Sequence, residues 1–293
     1  MSHQQVSTVA CPLCNENQKR DSWLGITRYH GKEFPYSECT RCRSLYCDPM
    51  PDDQTLAEMY GPGYAMSFAA DPSVDDPKEP EKVLALLAKG TRGTFVDYGC
   101  GKGDLLSAAK KLGWNAVGVE FDDEVVRQLR ERLGLTIMTS LEAVSSEPIA
   151  DVLHLGDVIE HMTKINEQMP AVLKLIKPGG RLVAQGPLEG NFNVFTMGIR
   201  LSRKLRPAPV EMAPYHVLLA TRQGQEECFK RFGLEPEEFS VSEVAWPAPA
   251  RLTTADLVKP RALGLYGLRR LSQGVSTIQS RWGNRYFYVG HKR

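Results

Sequence analysis

The 293-residue sequence is 42% hydrophobic, which is enough for a full core in one large domain plus a small one. Its 36 basic and 35 acidic residues give a net charge of +1, so no global field draws it to nucleic acid or to an anionic membrane. No apolar run approaches the roughly 18 residues of a membrane span. The N-terminus M-S-H-Q-Q-V-S-T has no signal-peptide pattern, so we expect a cytoplasmic protein.

Two closely spaced cysteine pairs mark the first 50 residues. They are Cys11 and Cys14 in C-P-L-C, and Cys39 and Cys42 in C-T-R-C. Each spacing places two thiolates on one tetrahedral zinc ion, and four thiolates leave no open position for a substrate. The strand-like stretches W-L-G-I-T-R-Y and F-P-Y-S-E-C suit the two arms of a hairpin. We therefore predict a structural zinc ribbon over residues 1–50, with Cys47 as a spare, buried residue.

Residues 51–90 are rich in proline and acid, which indicates a linker. A single helical turn should end at Tyr60. Tyr60, Tyr64 or Phe68 then either reaches over a ligand pocket as an aromatic flap or packs the linker onto the core. Val83–Ala88 should begin a helix that leads into the first strand of a larger domain at residues 91–293.

The stretch Val96–Leu106, V-D-Y-G-C-G-K-G-D-L-L, predicts a buried strand, a glycine turn and the start of a helix. The glycines are Gly99, Gly101 and Gly103. Their spacing is G-x-G-x-G, whereas the dinucleotide fingerprint needs glycine at the position of Asp104. Acids at Asp97 and Asp104 would also repel a pyrophosphate at the helix N-terminus, so a ligand with an ammonium group fits better.

Strands and helices then alternate, as a parallel sheet requires. Asn115–Glu120 is the second strand, and Glu120 lies about 20 residues beyond the turn, where an acid accepts both ribose hydroxyls. Pro178, Gly179 and Gly180 should separate a helix ending at Ile176 from strand five. Other strands are expected near Leu135 and at Ala150–Leu155, Glu238–Val244 and Tyr286–Gly290.

Four motifs occur in a fixed order: V-D-Y-G-C-G-K-G, V-G-V-E, D-V-I-E-H and L-I-K-P-G-G-R-L. Through them the chain resembles the class I S-adenosylmethionine-dependent methyltransferases over about Thr91 to Arg293. The resemblance implies a doubly wound, Rossmann-like α/β sheet that is mostly parallel, with an antiparallel last strand. It also implies S-adenosylmethionine as cofactor. Its methionyl end would contact Asp97, Gly99 and Gly101, and its ribose would contact Glu120.

The remaining cofactor contacts are expected at two strand tips. Ser140–Glu142, with Leu141 at its centre, should lie beside the adenine. Backbone groups or Glu142 would accept a hydrogen bond from the adenine amino group. Asp157 follows the fourth strand, and open α/β sheets bind ligands beyond the carboxyl ends of their strands.

The N-terminal cysteine segment resembles the zinc-binding domain that precedes the methyltransferase domain in sugar C-methyltransferases and relatives from polysaccharide and antibiotic-sugar pathways. The sequence ends about where the methyltransferase fold ends, without the additional C-terminal domain of the longest relatives. We therefore expect O-methyl rather than C-methyl transfer.

Two insertions, at residues 187–215 and 246–282, should form the acceptor site. The first carries Arg200, Arg203, Lys204 and Arg206. From Pro247 to Arg293 there are nine basic residues and one acid, Asp256. Either this is a solvated basic face, or arginine forks hold the diphosphate of an anionic small-molecule or glycan acceptor. The leucines around Tyr266 also suit a helix lying peripherally on the inner membrane surface.

These observations predict methyl transfer to a sugar hydroxyl of a nucleotide sugar or lipid-linked glycan. Two alternatives are a nucleic-acid methyltransferase and a non-catalytic zinc-ribbon adaptor that binds nucleic acid or protein. The near-neutral charge and the lack of aromatics among the basic residues argue against nucleic acid.

The catalytic group is predicted at Asp157, His161 and His216. In one chemistry, His161 or His216 takes the acceptor proton directly. In the other, D-x-x-E-H with Glu160 and the later His216 resembles the E-x-x-E-H arrangement of small-RNA 2′-O-methyltransferases and ubiquinone-pathway O-methyltransferases. That resemblance implies a divalent ion such as Mg²⁺, which would lower the pKa of the hydroxyl. His161 could instead be a structural cap. If neither chemistry holds, Tyr215 or His154 is the next candidate for the base.

Overall fold

The computed structural model describes residues 10–61, 78–144, 147–205, 210–244 and 252–292. Its strands are β1 (Lys19–Tyr29), β2 (Lys32–Cys39), β3 (Leu45–Cys47), β4 (Thr94–Tyr98), β5 (Asn115–Glu120), β6 (Thr136–Thr139), β7 (Ala150–Gly156), β8 (Ile176–Pro187), β9 (Val210–Glu211), β10 (Leu218–Leu219), β11 (Leu234–Ser242) and β12 (Arg285–Lys292). Its α-helices are α1 (Asp53–Met59), α2 (Lys78–Lys89), α3 (Asp104–Lys111), α4 (Asp123–Leu133), α5 (Ser140–Val144), α6 (Ile165–Leu173), α7 (Val194–Leu205), α8 (Arg222–Arg231) and α9 (Pro260–Ile278).

Seven strands form the central sheet, in the order β11-β12-β8-β7-β4-β5-β6. The pairs β7–β8, β4–β7, β4–β5 and β5–β6 are parallel, while β12 is antiparallel to both β8 and β11. The predicted fold class, a mostly parallel doubly wound sheet with an antiparallel last strand, is confirmed.

Helices cover both faces of the central sheet. Phe95 in β4 packs in one cluster with Leu87 of α2 and Leu106 of α3. Its neighbour Val96 faces the opposite cluster, which includes Met169 of α6 and residues of the N-terminal segment. Successive side chains of a strand point to opposite faces, so a strand buried on both sides is apolar along most of its length.

One predicted boundary is wrong. Pro178, Gly179 and Gly180 lie inside β8, and α6 ends earlier, at Leu173. Ile176 pairs with Ala150, but Arg181 already pairs with Val152, so this part of β8 bulges out of register. A bulge tolerates proline because its missing N–H is not needed there. A Cβ at Gly180 would lie 2.8 Å from the Ala150 carbonyl oxygen, which is why glycine is required.

The N-terminal sheet has five strands in the order β10-β3-β2-β1-β9. Strands β1 and β2 form the predicted antiparallel hairpin. Of the two outer strands, β9 lies within the first insertion of the larger domain and β10 follows that insertion. The N-terminal segment therefore shares its sheet with that domain.

The two insertions contribute helices α7 and α9, which pack together. A Cβ at Gly198 of α7 would lie 2.7 Å from Leu268 of α9, so the helices touch closely there. Arg269 of α9 is buried, pairs with Glu243 and stacks at 3.8 Å on the Phe195 ring. Among the helices described, none combines the length and the apolar character needed to cross a bilayer.

Some predicted features lie outside the described residues. They are the aromatic residues Tyr64 and Phe68 of the proposed flap, Arg206, and the start of the second insertion at Trp246.

Candidate active site

Four buried cysteine thiols come together beside the N-terminal sheet, and their sulfurs all lie within 4.8 Å of one another. Cys11 Sγ is 3.8 Å from Cys42 Sγ, and Cys14 Sγ is 3.5 Å from Cys39 Sγ. Zinc–sulfur bonds of about 2.3 Å in tetrahedral geometry place the sulfurs roughly 3.8 Å apart. The donor set therefore fits the predicted zinc ion, whose chemistry here would be structural. Cys47 is buried outside this group, as expected.

The two cysteine turns have the same local structure. Asn15 N donates to Cys11 O at 2.9 Å, and Arg43 N donates to Cys39 O at 3.1 Å. Asn15 and Arg43 each follow the second cysteine of a pair and have φ values of 61° and 64°. Left-handed backbone is rare for residues with a side chain. Its occurrence at equivalent positions indicates that both turns are shaped to aim two thiols at one point.

The glycine loop lies between β4 and α3, at the carboxyl edge of the central sheet. Gly99 and Gly101 have φ values of 80° and 48°. A Cβ at Gly99 would lie 2.8 Å from Val158 Cγ2, whereas a Cβ at Gly101 would meet no atom within 4 Å. Gly101 N donates to Glu120 Oε2 at 2.9 Å. The loop and the predicted ribose ligand therefore hold each other in place.

Asp97, predicted to face the methionyl end, is buried at the end of β4. Its Oδ1 lies 2.7 Å from Nδ1 of His154 on the neighbouring strand β7. Asp97 and His154 are each only 4% exposed. A histidine buried that deeply is badly placed to take a proton from an acceptor. Its contact with Asp97 instead fixes the carboxylate beside the glycine loop.

The expected adenine side of the cleft is formed by the ends of β5 and β6. Phe121, directly after Glu120, is 55% exposed and packs edge-on against Tyr98 at 5.5 Å. Leu141 lies in α5, which begins where β6 ends. The carboxylate of Glu142 accepts hydrogen bonds from Thr139 N and from Arg130. Glu142 therefore supports the start of α5.

Asp157 follows β7 with a φ of 52°, in left-handed backbone. Its two carboxylate oxygens accept hydrogen bonds from Arg285 of β12 at 2.6 and 3.0 Å. This forked ion pair ties the tip of β7 to the last strand. Asp157 is thus bound to an arginine, and its carboxylate also lies beside Glu160 of the other predicted catalytic residues.

Glu160, His161 and His216 come together, and we call them the EHH cluster. One donor atom from each lies within 4.8 Å of the others. The two histidine rings are 4.9 Å apart and nearly perpendicular. Glu160 Oε1 is buried without a hydrogen-bond partner in the described part of the chain. A buried orphan oxygen of this kind is a position where an acceptor group or an ion would be stabilised.

Each histidine of the EHH cluster is held through Nδ1. His216 Nδ1 lies 2.7 Å from Glu189 Oε2, and His161 Nδ1 lies 2.8 Å from the Tyr215 carbonyl oxygen. A carbonyl can only accept, so neutral His161 carries its proton on Nδ1 and Nε2 is the ring's acceptor. The Tyr60 hydroxyl is also 2.9 Å from His161 Nδ1, which places this linker tyrosine at the cluster.

The protonation states of the EHH cluster differ strongly. Burial and the nearby Asp157 carboxylate raise the pKa of Glu160 to about 8. Burial and the adjacent His216 lower the pKa of His161 to about 4. Burial also acts to lower the pKa of His216, but Glu189 outweighs it and raises that pKa to about 9. At neutral pH the cluster therefore holds a protonated His216 beside a neutral His161.

Sequence reasoning missed three residues that complete this site. Glu189 lies just past β8, and an acid at the carboxyl end of a parallel strand was a usable signal for it. Phe121 could have been found as the aromatic residue next to Glu120. No sequence pattern near Arg285 indicated that it pairs with Asp157, because the two residues meet only through the pairing of β8 with β12.

The order of the central sheet, the glycine loop and the acid at the end of β5 together define a class I S-adenosylmethionine-dependent methyltransferase domain. The sequence profile of the methyltransferase-domain family matches residues 75–238, and the chain belongs to that family.

Similar proteins agree with this assignment. The ribosomal protein L11 methyltransferase of Dechloromonas aromatica is 34% identical over 184 residues, which is 59% of this chain and 57% of that protein. The ribosomal protein L11 methyltransferase of Sodalis glossinidius is 31% identical over 146 residues, 48% of each chain. This chain thus spans about half the length of the curated relatives it matches.

A solved structure shows the same fold. Magnesium protoporphyrin IX methyltransferase from Synechocystis PCC 6803, with bound SAH, superposes with a TM-score of 0.52. The match covers 83% of this chain and 100% of that chain at 12% identity, so it speaks for the fold alone.

Proposed function

We propose that this protein transfers a methyl group from S-adenosylmethionine to a hydroxyl oxygen, with His216 as the base. The observation that carries the proposal is the Glu189–His216 pair at the carboxyl edge of the sheet, with Glu160 and His161 beside it. A carboxylate on Nδ1 orients a histidine and stabilises the imidazolium that forms when Nε2 takes a proton.

The residues would share the reaction as follows. The cofactor supplies a methyl carbon that is already electrophilic because it is bonded to a sulfonium. The acceptor oxygen would form a bond to this carbon while the carbon–sulfur bond breaks and its electron pair stays on sulfur. The hydroxyl proton passes to Nε2 of His216, while Glu189 keeps Nδ1 protonated. The EHH cluster must therefore mainly align the oxygen and receive one proton.

The acceptor that we propose is a sugar on a nucleotide or lipid diphosphate. Support comes from the N-terminal cysteine segment, which resembles the zinc-binding domain of sugar methyltransferases, and from arginines in the two insertions. The relatives' name points to a protein acceptor instead. Transfer assays should therefore include both a nucleotide sugar and a protein extract.

The EHH cluster also fits a second chemistry. Metal-bound histidines usually have their other ring nitrogen fixed by a carboxylate or carbonyl, as Glu189 and the Tyr215 carbonyl do here. Two nitrogens and one carboxylate oxygen suit a transition ion, whereas Mg²⁺ prefers oxygen ligands. Such an ion would be held by Glu160, His161 and His216 and would lower the pKa of the hydroxyl.

Peripheral membrane contact remains a proposal as well. Met197, Leu201 and Leu205 lie on one face of α7 and are 49%, 59% and 73% exposed. However, two of the basic residues near the C-terminus have acidic partners, since Arg269 pairs with Glu243 and Arg285 with Asp157. Some of the basic residues near the C-terminus therefore stabilise the fold and are not available to bind a membrane.

His216→Ala tests the base. Turnover should fall by about 10²–10⁴ while the affinity for S-adenosylmethionine stays unchanged, because the histidine acts on the acceptor proton. The measurement combines methyl transfer from labelled cofactor with calorimetry. His291→Ala, on a partly exposed histidine of β12, is the matched control.

Full activity of His216→Ala would refute the direct base. Loss of wild-type activity in EDTA, restored by a transition ion, would replace it with the metal chemistry.

A further inference from the structure

A pocket of about 550 Å³ lies between the N-terminal sheet, the first insertion and the segment before β12. None of the residues that line it belongs to the EHH cluster. Its most distinctive members are four arginines and two aromatic residues: Arg43, Arg200, Arg222, Arg281, Phe192 and Trp282. We call it the arginine pocket.

The arginine pocket has an excess of positive charge. Arg43 pairs with Glu38, and Arg222 pairs with Glu226, and both glutamates also line the pocket. Within the described residues, Arg281 has no acidic partner, and Arg200 forms no direct salt bridge, although Glu38 lies near it. Burial lowers the pKa of Arg200. The Glu38 carboxylate opposes this effect, and the nearby charges of Arg43 and Arg20 add to it. Bringing an anion between these guanidinium groups would relieve their mutual repulsion.

The wall that carries Arg281 is rigid. The buried side chain of Asn191 donates to the carbonyl oxygens of Arg281 and Gly283, at 2.9 and 2.7 Å. The turn that presents Arg281 and Trp282 is thereby fixed before any ligand arrives. Because the site is preformed, little binding free energy is lost in ordering its side chains and backbone.

The aromatic residues provide a surface for a ring. Phe192 is 47% exposed, and its ring meets that of Trp282 edge-on at 5.6 Å. The Arg200 guanidinium lies 5.8 Å from the Phe192 centroid. An exposed aromatic beside arginines suits a ligand that joins a flat ring to phosphate groups.

The start of α8 adds to the positive potential. Thr221 caps this ten-residue helix by accepting from Gly224 N at 3.0 Å, and Thr221, Arg222 and Gln223 all line the pocket. The partial positive charge of a helix N-terminus favours phosphate.

We propose that the arginine pocket binds the diphosphate of the acceptor, with the nucleoside ring of a nucleoside diphosphate against Phe192 and Trp282. This inference rests on the proposed function. Glu189 holds His216, and the next two residues, Gly190 and Asn191, line the pocket. A sugar attached to the diphosphate would therefore extend along this segment toward the base.

Calorimetry of the full chain with UDP, inorganic pyrophosphate, uridine and farnesyl diphosphate tests the proposal. UDP should bind more tightly than pyrophosphate or uridine alone. Arg281→Gln should weaken UDP by about tenfold to a hundredfold, the loss expected for charge-assisted hydrogen bonds. Trp282→Leu should weaken UDP but leave pyrophosphate unchanged. Arg127→Gln, on an exposed arginine of α4, is the control.

Farnesyl diphosphate binding as tightly as UDP, with no effect of Trp282→Leu, would assign the diphosphate to a lipid and refute the nucleoside. The pocket assignment fails if no diphosphate binds, if Arg281→Gln behaves like Arg127→Gln, or if only RNA binds.

A different result would refute the proposed function. In that case diphosphates bind at the arginine pocket, but no glycosyl acceptor is methylated. Conversely, methylation whose KM is unaffected by Arg281→Gln would keep the function and exclude the pocket.

Discussion

At the scale of single residues, the pairing of His216 with Glu189 sets the pH range in which the base can work. The pKa of His216 is raised to about 9, so the histidine is protonated at neutral pH and becomes a proton acceptor only as the pH rises. The His216–Glu189 pair also stabilises the folded protein, and this stabilisation requires the protonated histidine. It is fully present below the ordinary histidine pKa of about 6.5 and is lost as the pH rises through about 9.

Glu189→Gln should move the acidic limb of the pH–rate profile to lower pH. The amide still accepts a hydrogen bond from His216 Nδ1, but the charge that raises the pKa is gone. The profile of kcat/KM against pH measures this directly, because it reports groups of the free enzyme. Glu124→Gln, on the exposed surface of α4, should leave the limb in place. An unmoved limb in Glu189→Gln would assign the titration to another group.

The cofactor contacts are also tested one residue at a time. Gly101→Val should abolish binding of S-adenosylmethionine, because it adds a branched side chain where the loop faces open space and because φ is 48°. Glu120→Ala should weaken binding by about 1–3 kcal/mol, the usual loss for charge-assisted hydrogen bonds. Calorimetry gives both affinities.

Gly134→Val controls for backbone strain. Gly134 also has a positive φ, of 55°, and no atom lies within 4 Å of its Cβ position. If Gly101→Val binds the cofactor as Gly134→Val does, strain alone explains any loss and the glycine loop is not the cofactor site.

At the scale of secondary-structure elements, the sequence was most informative where one face of an element is apolar. The bounds of β5 are those predicted, and β4, α4 and β12 lie where their apolar residues placed them. The two-residue strands β9 and β10 carry no such pattern, because their pairing depends on partners far away in the chain. Pro178–Gly180 were misassigned because proline and glycine mark turns far more often than bulges.

The cysteine turns behave as one element that depends on metal. Protein as isolated should carry one zinc ion per chain, and Cys39→Ser should lower that content and destabilise the N-terminal sheet. Elemental analysis and thermal unfolding check the two effects. Cys47→Ser is the matched control, since it changes another buried thiol of the same sheet. Stoichiometric disulfides in place of metal would contradict the ribbon.

At the scale of the whole molecule, the N-terminal sheet holds the segment that carries the candidate base. The Tyr36 hydroxyl of β2 donates to the His216 carbonyl oxygen at 2.8 Å. Val217 O accepts from Cys47 N, and Val217 N donates to Glu160 O, each at 2.9 Å. His216 is therefore fastened between the two sheets. The boundaries predicted at residues 50 and 90 remain predictions, but strand pairing continues across both.

No sequence pattern could reveal this arrangement. The C-P-L-C and C-T-R-C spacings predict a metal, and P-Y-H suggests a histidine near a cleft. Neither shows that the two features share a sheet. The EHH cluster could be proposed from D-V-I-E-H and His216, whereas its support by Tyr36 follows only from the three-dimensional path of the chain.

The strands β9 and β10 that complete the N-terminal sheet have a consequence for how the protein is made. During synthesis the cysteine turns and the hairpin leave the ribosome long before the residues that cover the two outer strands. Until then, β1 and β3 present open edges, on which chains of neighbouring ribosomes can pair. Early capture of zinc would keep the hairpin folded through that interval. The amount of intact protein recovered from cells should thus depend on zinc supply during translation.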